Sequence, residues 1–194
     1  MAETLLIYNP AAGRFSVRPF ISSVIRTLND HGLRVEVVES LNGRHTTQLA
    51  RTAASDKFRA VFVIGGDGTV GQAASGLIRS ETALAVLPAG TANVWAQELG
   101  MKAFIWPLWR RLRDNARLLA DVEPCAMDVG LCNDIPFMMW AGIGLDALTV
   151  HKLEPRKRFE KYLGVPEYFA TTVWNATLWH GMNLSVSADD KHVE

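Results

Sequence analysis

The chain has 194 residues, 48% of them hydrophobic, enough to bury the core of one full domain, or of one domain and part of another; this excludes a disordered chain. Twenty basic and twenty acidic residues cancel to a net charge of zero, so nucleic-acid binding, which rests on a cationic surface, has no electrostatic support. The opening MAETLLIYNP lacks the basic start and long apolar core of a signal peptide, and no run reaches the roughly 18 apolar residues of a membrane span.

The predicted elements alternate from the start. Leu5 to Tyr8 is a short apolar strand that stops at the turn-rich Asn9-Pro10-Ala11-Ala12-Gly13, and Val17, Phe20, Ile21, Val24, Ile25 and Leu28 then recur at helical spacing. His31-Gly32 ends that helix, and LRVEVVE (Leu33 to Glu39) alternates like a strand. A helix is expected over about Thr46 to Ala54, a fully apolar strand over Ala60 to Ile64, a helix over Thr69 to Ile78, a strand over Ala83 to Leu87 and a helix over Thr91 to Leu99. Continuous apolar strands alternating with helices imply a parallel sheet covered on both faces, a doubly wound three-layer α/β domain over residues 1–121.

From Val122 the pattern changes. Extended stretches at about Ala126 to Leu131 and Pro136 to Ala141 flank Asn133-Asp134, a turn signal for antiparallel pairing. Phe159 to His180 is expected to hold a helix, and Asn183 to Ser187 a strand that runs into a hairpin turn with no return strand. Residues 122–194 are therefore read as an incomplete antiparallel β-rich second domain. Unfinished strand edges of this kind invite pairing with a second copy of the chain.

Three loops carry the chemistry. Gly65-Gly66-Asp67-Gly68-Thr69 follows an apolar strand and opens a helix, so its backbone N–H groups and the helix N-terminus form an anion cradle. Asp67 beside phosphates requires either a bridging divalent cation or a plain turn and capping role. Leu87-Pro88-Ala89-Gly90-Thr91-Ala92-Asn93 repeats the strand-loop-helix arrangement, and Asn9 to Gly13 with Arg14 adds a third loop ending in a cation. In a parallel sheet all three share one carboxyl edge, and together they read as a nucleotide site. Arg14 reads equally as a solvated surface charge.

The order Asn9-Pro10…Gly13, Gly65 to Thr69 with Gly76-Leu77, Leu87 to Asn93, and Met127-Asp128-Val129-Gly130 resembles the catalytic region of diacylglycerol kinases and their sphingosine-kinase and ceramide-kinase relatives. The Gly-Gly-Asp-Gly segment alone also suits NAD kinases and phosphofructokinases. The resemblance implies an α/β first domain of phosphofructokinase and NAD kinase type followed by a β-sandwich, with ATP- and Mg²⁺-dependent transfer of the γ-phosphoryl group to the hydroxyl of diacylglycerol or a related lipid alcohol. It implies nucleotide contacts at Asn9, Gly66, Asp67, Gly68, Thr69, Gly90, Thr91 and Asn93, with Thr46 as a further candidate contact, and Mg²⁺ organised by Asp67 and Asp128, directly or through water; Arg14 joins the nucleotide set from its place on the first loop. The lack of a signal peptide and of a spanning run reads as a soluble cytoplasmic protein, with peripheral contact at the inner membrane face left open.

Two departures from the family pattern stand out. Val94 and Gln97 occupy places where many relatives have Asp and Arg. The resemblance further implies a glutamate general base in an Asp-Gly-Glu segment beyond these residues; none occurs here, and Asp189-Asp190 lacks the glycine. A catalytically incomplete nucleotide- or lipid-binding protein is thus the alternative to a kinase, and an NAD kinase-like enzyme a lesser one.

Other features have two readings each. Met101 to Ala120, with Phe104, Ile105, Trp106, Leu108, Trp109 and Leu112 beside Arg110, Arg111, Arg113 and Arg117, suits either a membrane-surface helix or one packing on the sheet. Trp174 and Trp179 with Tyr168 and Phe169 suit either a core or an acyl-chain groove and interface anchor. Lys152, Arg156, Lys157, Arg158 and Lys161 suit either anionic lipid or solvent. Cys125 and Cys132 are expected to be buried thiols, and the five histidines show no metal-ligand spacing.

Overall fold

Thr4–Tyr8 (β1), Val35–Glu39 (β2), Ala60–Gly65 (β3) and Ala83–Pro88 (β4) form one parallel sheet of order β2-β1-β3-β4 in a computed structural model, which describes residues 3–104, 108–139, 141–153, 164–188 and 191–193. Successive strand side chains point to opposite faces. Leu5, Ile7, Val61, Val63 and Val86 therefore feed one core, while Leu6, Phe62, Ile64, Ala85 and Leu87 feed the other. Helices α1 (Arg18–Asp30) and α5 (Arg110–Asp121) cover the second face with Val24, Leu28, Leu112 and Ala116. The first face is covered by α2 (Gly43–Ser55), α3 (Asp67–Leu77) and α4 (Val94–Glu98), through Ala50, Ala53, Val70, Ala73 and Trp95. Three layers result, as the apolar strands predicted, with each buried Leu, Ile, Val or Phe side chain contributing about 1.5–3 kcal/mol.

The helix ends explain where the elements start and stop. At the end of α1 the Leu33 N–H donates to Leu28 O (3.1 Å) and the Gly32 N–H to Asn29 O (2.9 Å), with Gly32 at φ +81°. This pair of bonds closes the last turn and turns the chain into β2. Helix α2 begins three residues before its expected start because Asn42 caps it, its side chain accepting the His45 N–H at 3.0 Å. Helix α4 begins three residues late because Asn93 is left-handed (φ 53°, ψ 46°). In α5, Leu112, Ala116 and Leu119 pack on the sheet while Arg110, Arg113 and Arg117 are exposed, so the amphipathic pattern is that of a packed helix. Ile105 and Trp106 lie outside the described residues.

The chain divides into two compact units, Met1–Trp140 and Ala141–Glu194. The division falls later than residue 121 because the hairpin of β5 (Gly130–Cys132) and β6 (Ile135–Phe137) belongs with the first unit: β6 lies near α3, and Met138 and Met139 pack on the α2–α3 core. Its turn is Asn133-Asp134, at φ 48° and 63°, the left-handed pair that a two-residue hairpin needs. Cys125 and Cys132 are exposed rather than buried, since one lies on the extended approach to β5 and the other on the hairpin itself.

The second unit contains α6 (Leu145–Leu153), α7 (Gly164–Leu178) and a hairpin of β7 (Val186–Ala188) with β8 (Lys191–Val193). The return strand read as missing is β8, which pairs antiparallel with β7 from Val186↔Val193 to Ala188↔Lys191. Asp189 and Asp190 lie outside the described residues, as do Arg156, Lys157, Arg158 and Lys161. Trp174 is 67% exposed and so is not a core residue. Among the described residues the antiparallel structure consists of two separate two-stranded sheets.

Candidate functional site

The sheet order places the crossover between β1 and β3. The chain leaves β1 toward β2 on one side and returns to β3 on the other, and the carboxyl edge at such a point opens into a crevice. Three loops meet there.

Asn9 ties the first loop to the second. Its N–H continues the ladder to Ile64 O (3.0 Å), its Oδ1 accepts the Ala11 N–H (2.8 Å), and its Nδ2 donates to Thr69 Oγ1 (3.0 Å). Gly66 precedes α3 in extended conformation and Asp67 is the first helical residue. The N–H groups of that first turn have no intrahelical partners and point out of the helix toward the crevice. Asp67 is exposed, and its Oδ1 accepts the Trp95 N–H at 3.3 Å, which ties the start of α3 to the start of α4.

The third loop is set by close backbone approach. A Cβ on Gly90 would overlap Gly66 Cα, and one on Gly66 would stand 3.0 Å from Gly90 Cα, so the two glycine loops touch where no side chain fits. Asn93 holds this arrangement from below: Gly90 N–H donates to its Oδ1 (2.7 Å) and its Nδ2 donates to Gly90 O (2.9 Å). The residue is 2% exposed. Its side chain therefore shapes the loop rather than facing the crevice. Thr91 and Arg14 are exposed on their loops. Gly68 differs from its neighbours, since a Cβ there would meet nothing within 4 Å and its backbone is not left-handed.

Two expected site residues are not on the three loops. Thr46 is 1% exposed, its hydroxyl 2.5 Å from Ser40 Oγ and donating to Asn42 O at 3.2 Å, inside the N-terminus of α2. Asp128 is exposed on the strand approach two residues before β5. Among the described residues no three His, Cys, Asp or Glu side chains gather as a metal cage. One carboxylate next to a phosphate cradle nonetheless suits Mg²⁺, which keeps most of its waters and is bound through one or two carboxylates and the phosphates themselves.

A charged cluster at the same sheet edge was not anticipated. Tyr8 and Glu39 stand opposite each other at the ends of β1 and β2, and the Tyr8 hydroxyl donates to Glu39 Oε2 at 2.5 Å. Arg18 Nη2 donates to both Glu39 oxygens, at 2.7 and 2.9 Å. The bond from Tyr8, then that from Arg18, holds the Glu39 carboxyl below its ordinary range, and the bond to Glu39 raises the Tyr8 hydroxyl above its own. The parallel register brings Tyr8 and Glu39 together and the start of α1 adds Arg18, and no spacing in the sequence announces it.

Residues 3–125, well over half of the chain, match the family model of the diacylglycerol kinase catalytic domain. The chain belongs to that family. The diacylglycerol kinase of Bacillus subtilis is 29% identical over 52% of this chain and 34% of its own length, and a probable lipid kinase, YegS-like, of Chromohalobacter salexigens is 30% identical over 80% of this chain and 49% of its own. The crystal structure of a diacylglycerol kinase from Bacillus anthracis superposes with a TM-score of 0.60 at 25% identity, over 70% of this chain and 48% of that one. The chain thus spans about half the length, or less, of these relatives. The three-loop edge falls entirely within the matched diacylglycerol kinase catalytic region.

Proposed function

We propose that the chain binds the phosphates of ATP at the edge formed by Asn9, Gly66 to Thr69 and Gly90, and supports transfer of the γ-phosphoryl group to the hydroxyl of diacylglycerol or a related lipid alcohol. The observation that carries this reading is the contact of Gly66 with Gly90 beside the N-terminus of α3, two loop backbones so close that a Cβ on Gly90 would overlap Gly66 Cα. In phosphoryl transfer the incoming hydroxyl oxygen bonds to the γ-phosphorus as the bond to the β-phosphate oxygen breaks and the hydroxyl proton passes to a base or to water, and the protein contributes mainly positioning and charge neutralisation. Backbone N–H groups of the Gly66 to Thr69 turn hold the phosphates, Arg14 adds a positive charge on the first loop, and Asn93 keeps Gly90 out of their way. Asp67 would hold Mg²⁺, directly or through water, and the ion would offset the phosphate charge. The family membership and the lipid kinase names of the relatives favour a lipid acceptor over NAD.

Gly68 gives the test. Because a Cβ there meets only open space, Gly68→Ala should leave the thermal midpoint unchanged or slightly raised while weakening binding of a fluorescent ATP analogue with Mg²⁺ by tenfold or more, if phosphate approaches this backbone. Equal affinity in both proteins would remove the phosphate from this turn. Incubation with γ-labelled ATP and a panel of diacylglycerol, sphingosine, phosphatidylglycerol and NAD then identifies the acceptor, with Asp67→Ala expected to abolish label transfer. ATP binding without labelling of any acceptor would favour a nucleotide-binding protein instead.

A further inference from the structure

The first loop begins and ends on one carboxylate. Residues 9–17 run from the end of β1 to the start of α1; Tyr8 is the last residue of the strand, Arg18 the first of the helix, and both donate to Glu39 at the end of β2. The loop is thus a ring whose two feet are joined through the neighbouring strand. Inside the ring the chain is fixed at its start and middle. Asn9 accepts the Ala11 N–H on Oδ1 and the Ala12 N–H on its carbonyl, at 2.8 and 3.1 Å. Gly13, at φ +63°, lies so close to the third loop that a Cβ would overlap the Ala89 carbonyl oxygen. Val17 is buried in the core beneath α1. Between Gly13 and Val17 the arc that carries Arg14, Phe15 and Ser16 is exposed. Burial of Val17 is non-directional; the bonds to Glu39 are directional and set where the helix starts relative to the strand.

We infer that Glu39 is a positioning residue of the nucleotide site, closing the first loop at its base and so fixing where Arg14 meets the phosphates; this rests on the nucleotide reading of the edge. An exposed ion pair adds little to overall stability, so the benefit is local. A short arc between fixed feet samples fewer conformations. A cation already held in place then binds phosphate without the entropy loss of being ordered by it. Charge alone disfavours a carboxylate at the rim of an anion site; its bonds to the two feet of the loop account for its place there.

Charge and position predict opposite signs. Removing a carboxylate near phosphates, and releasing Arg18 from it, should by charge alone tighten nucleotide binding. The positioning role predicts the reverse: Glu39→Ala should weaken binding of a fluorescent ATP analogue with Mg²⁺ by about threefold to tenfold, with a thermal midpoint within a few degrees of wild type. In an Arg14→Ala background the same substitution should change affinity by less than about twofold, because the cation it positions is gone. Trypsin gives a second reading that needs no nucleotide. The Arg14–Phe15 bond lies on the exposed arc, whereas Arg18 is followed by Pro19 and resists the protease. Cleavage after Arg14, identified by the mass of the fragment that begins at Phe15, should be at least about fivefold faster in Glu39→Ala than in wild type. Unchanged cleavage would overturn the inference, as would equal or tighter nucleotide binding by Glu39→Ala, or an equal loss with and without Arg14. If wild type binds no nucleotide, the reading of the edge as a nucleotide site fails separately, and the cleavage rates alone decide whether Glu39 holds the loop.

Discussion

Glu39 is a half-buried carboxylate at the site edge that accepts from both Tyr8 and Arg18, and these neighbours give it a defined response to pH. Its folded-state pKa is lowered by the hydrogen bond from Tyr8 and then by that from Arg18, so the stability it contributes is present above the ordinary carboxylate range and is lost as pH falls through the lowered value. Tyr8 is raised by its bond to Glu39, so its contribution is present below the usual tyrosine range and is lost as pH climbs past it. Tyr8→Phe should therefore lower the thermal midpoint by at most a few degrees near neutrality, a difference that shrinks below about pH 4 and above about pH 10. Melting curves across that range check it; a pH-independent difference would mean that packing of the ring, not the bond, is at stake. The residues Asn9, Gly66, Asp67, Gly90 and Asn93 could be located from sequence because each follows an apolar strand. What Asn93 does there could not, since its left-handed backbone and its two bonds to Gly90 exist only once the loop has closed.

At the level of elements, α2 closes as α1 does but with a less suitable residue. The Lys57 N–H donates to Ala54 O (3.1 Å) and the Phe58 N–H to Ala53 O (2.9 Å), while Lys57 is at φ 57° where α1 has Gly32 at φ 81°. A side chain in that region is strained, so Lys57→Gly should stabilise the protein by about 0.5–1 kcal/mol, read as a higher midpoint in urea. No change would show that the turn relaxes around lysine at no cost. The same comparison shows why sequence reading succeeded unevenly. His31-Gly32 is a recognisable stop, and the strands of the parallel sheet are uninterrupted apolar runs. By contrast α6 escaped notice because its sequence, Leu145 to Leu153, has no clear amphipathic stripe, its buried contact being made by Thr149. Strand β8, Lys-His-Val, is three mostly polar residues that only its pairing with β7 identifies.

Across the whole molecule, the two large cores lie on the two faces of one sheet within the first unit, and the candidate site is a product of that sheet's order. Its parts come from distant stretches of chain: Asn9 reaches Thr69, and Gly66 meets Gly90. β1 is central, flanked by β2 and β3, and β4 joins only through β3. The crevice consequently has no partial form, because removing any one of β1, β3 or β4 leaves its loops without their opposing backbone. Contacts this far apart in sequence form late, after the loop-closure entropy has been met. A ligand of this edge can recognise only the completed unit, and so it acts on escape from the native state rather than on arrival. MgATP should slow unfolding in denaturant in proportion to site occupancy and leave the refolding rate unchanged; stopped-flow tryptophan fluorescence in both directions would show it, and faster refolding would mean that the crevice assembles before the sheet is complete.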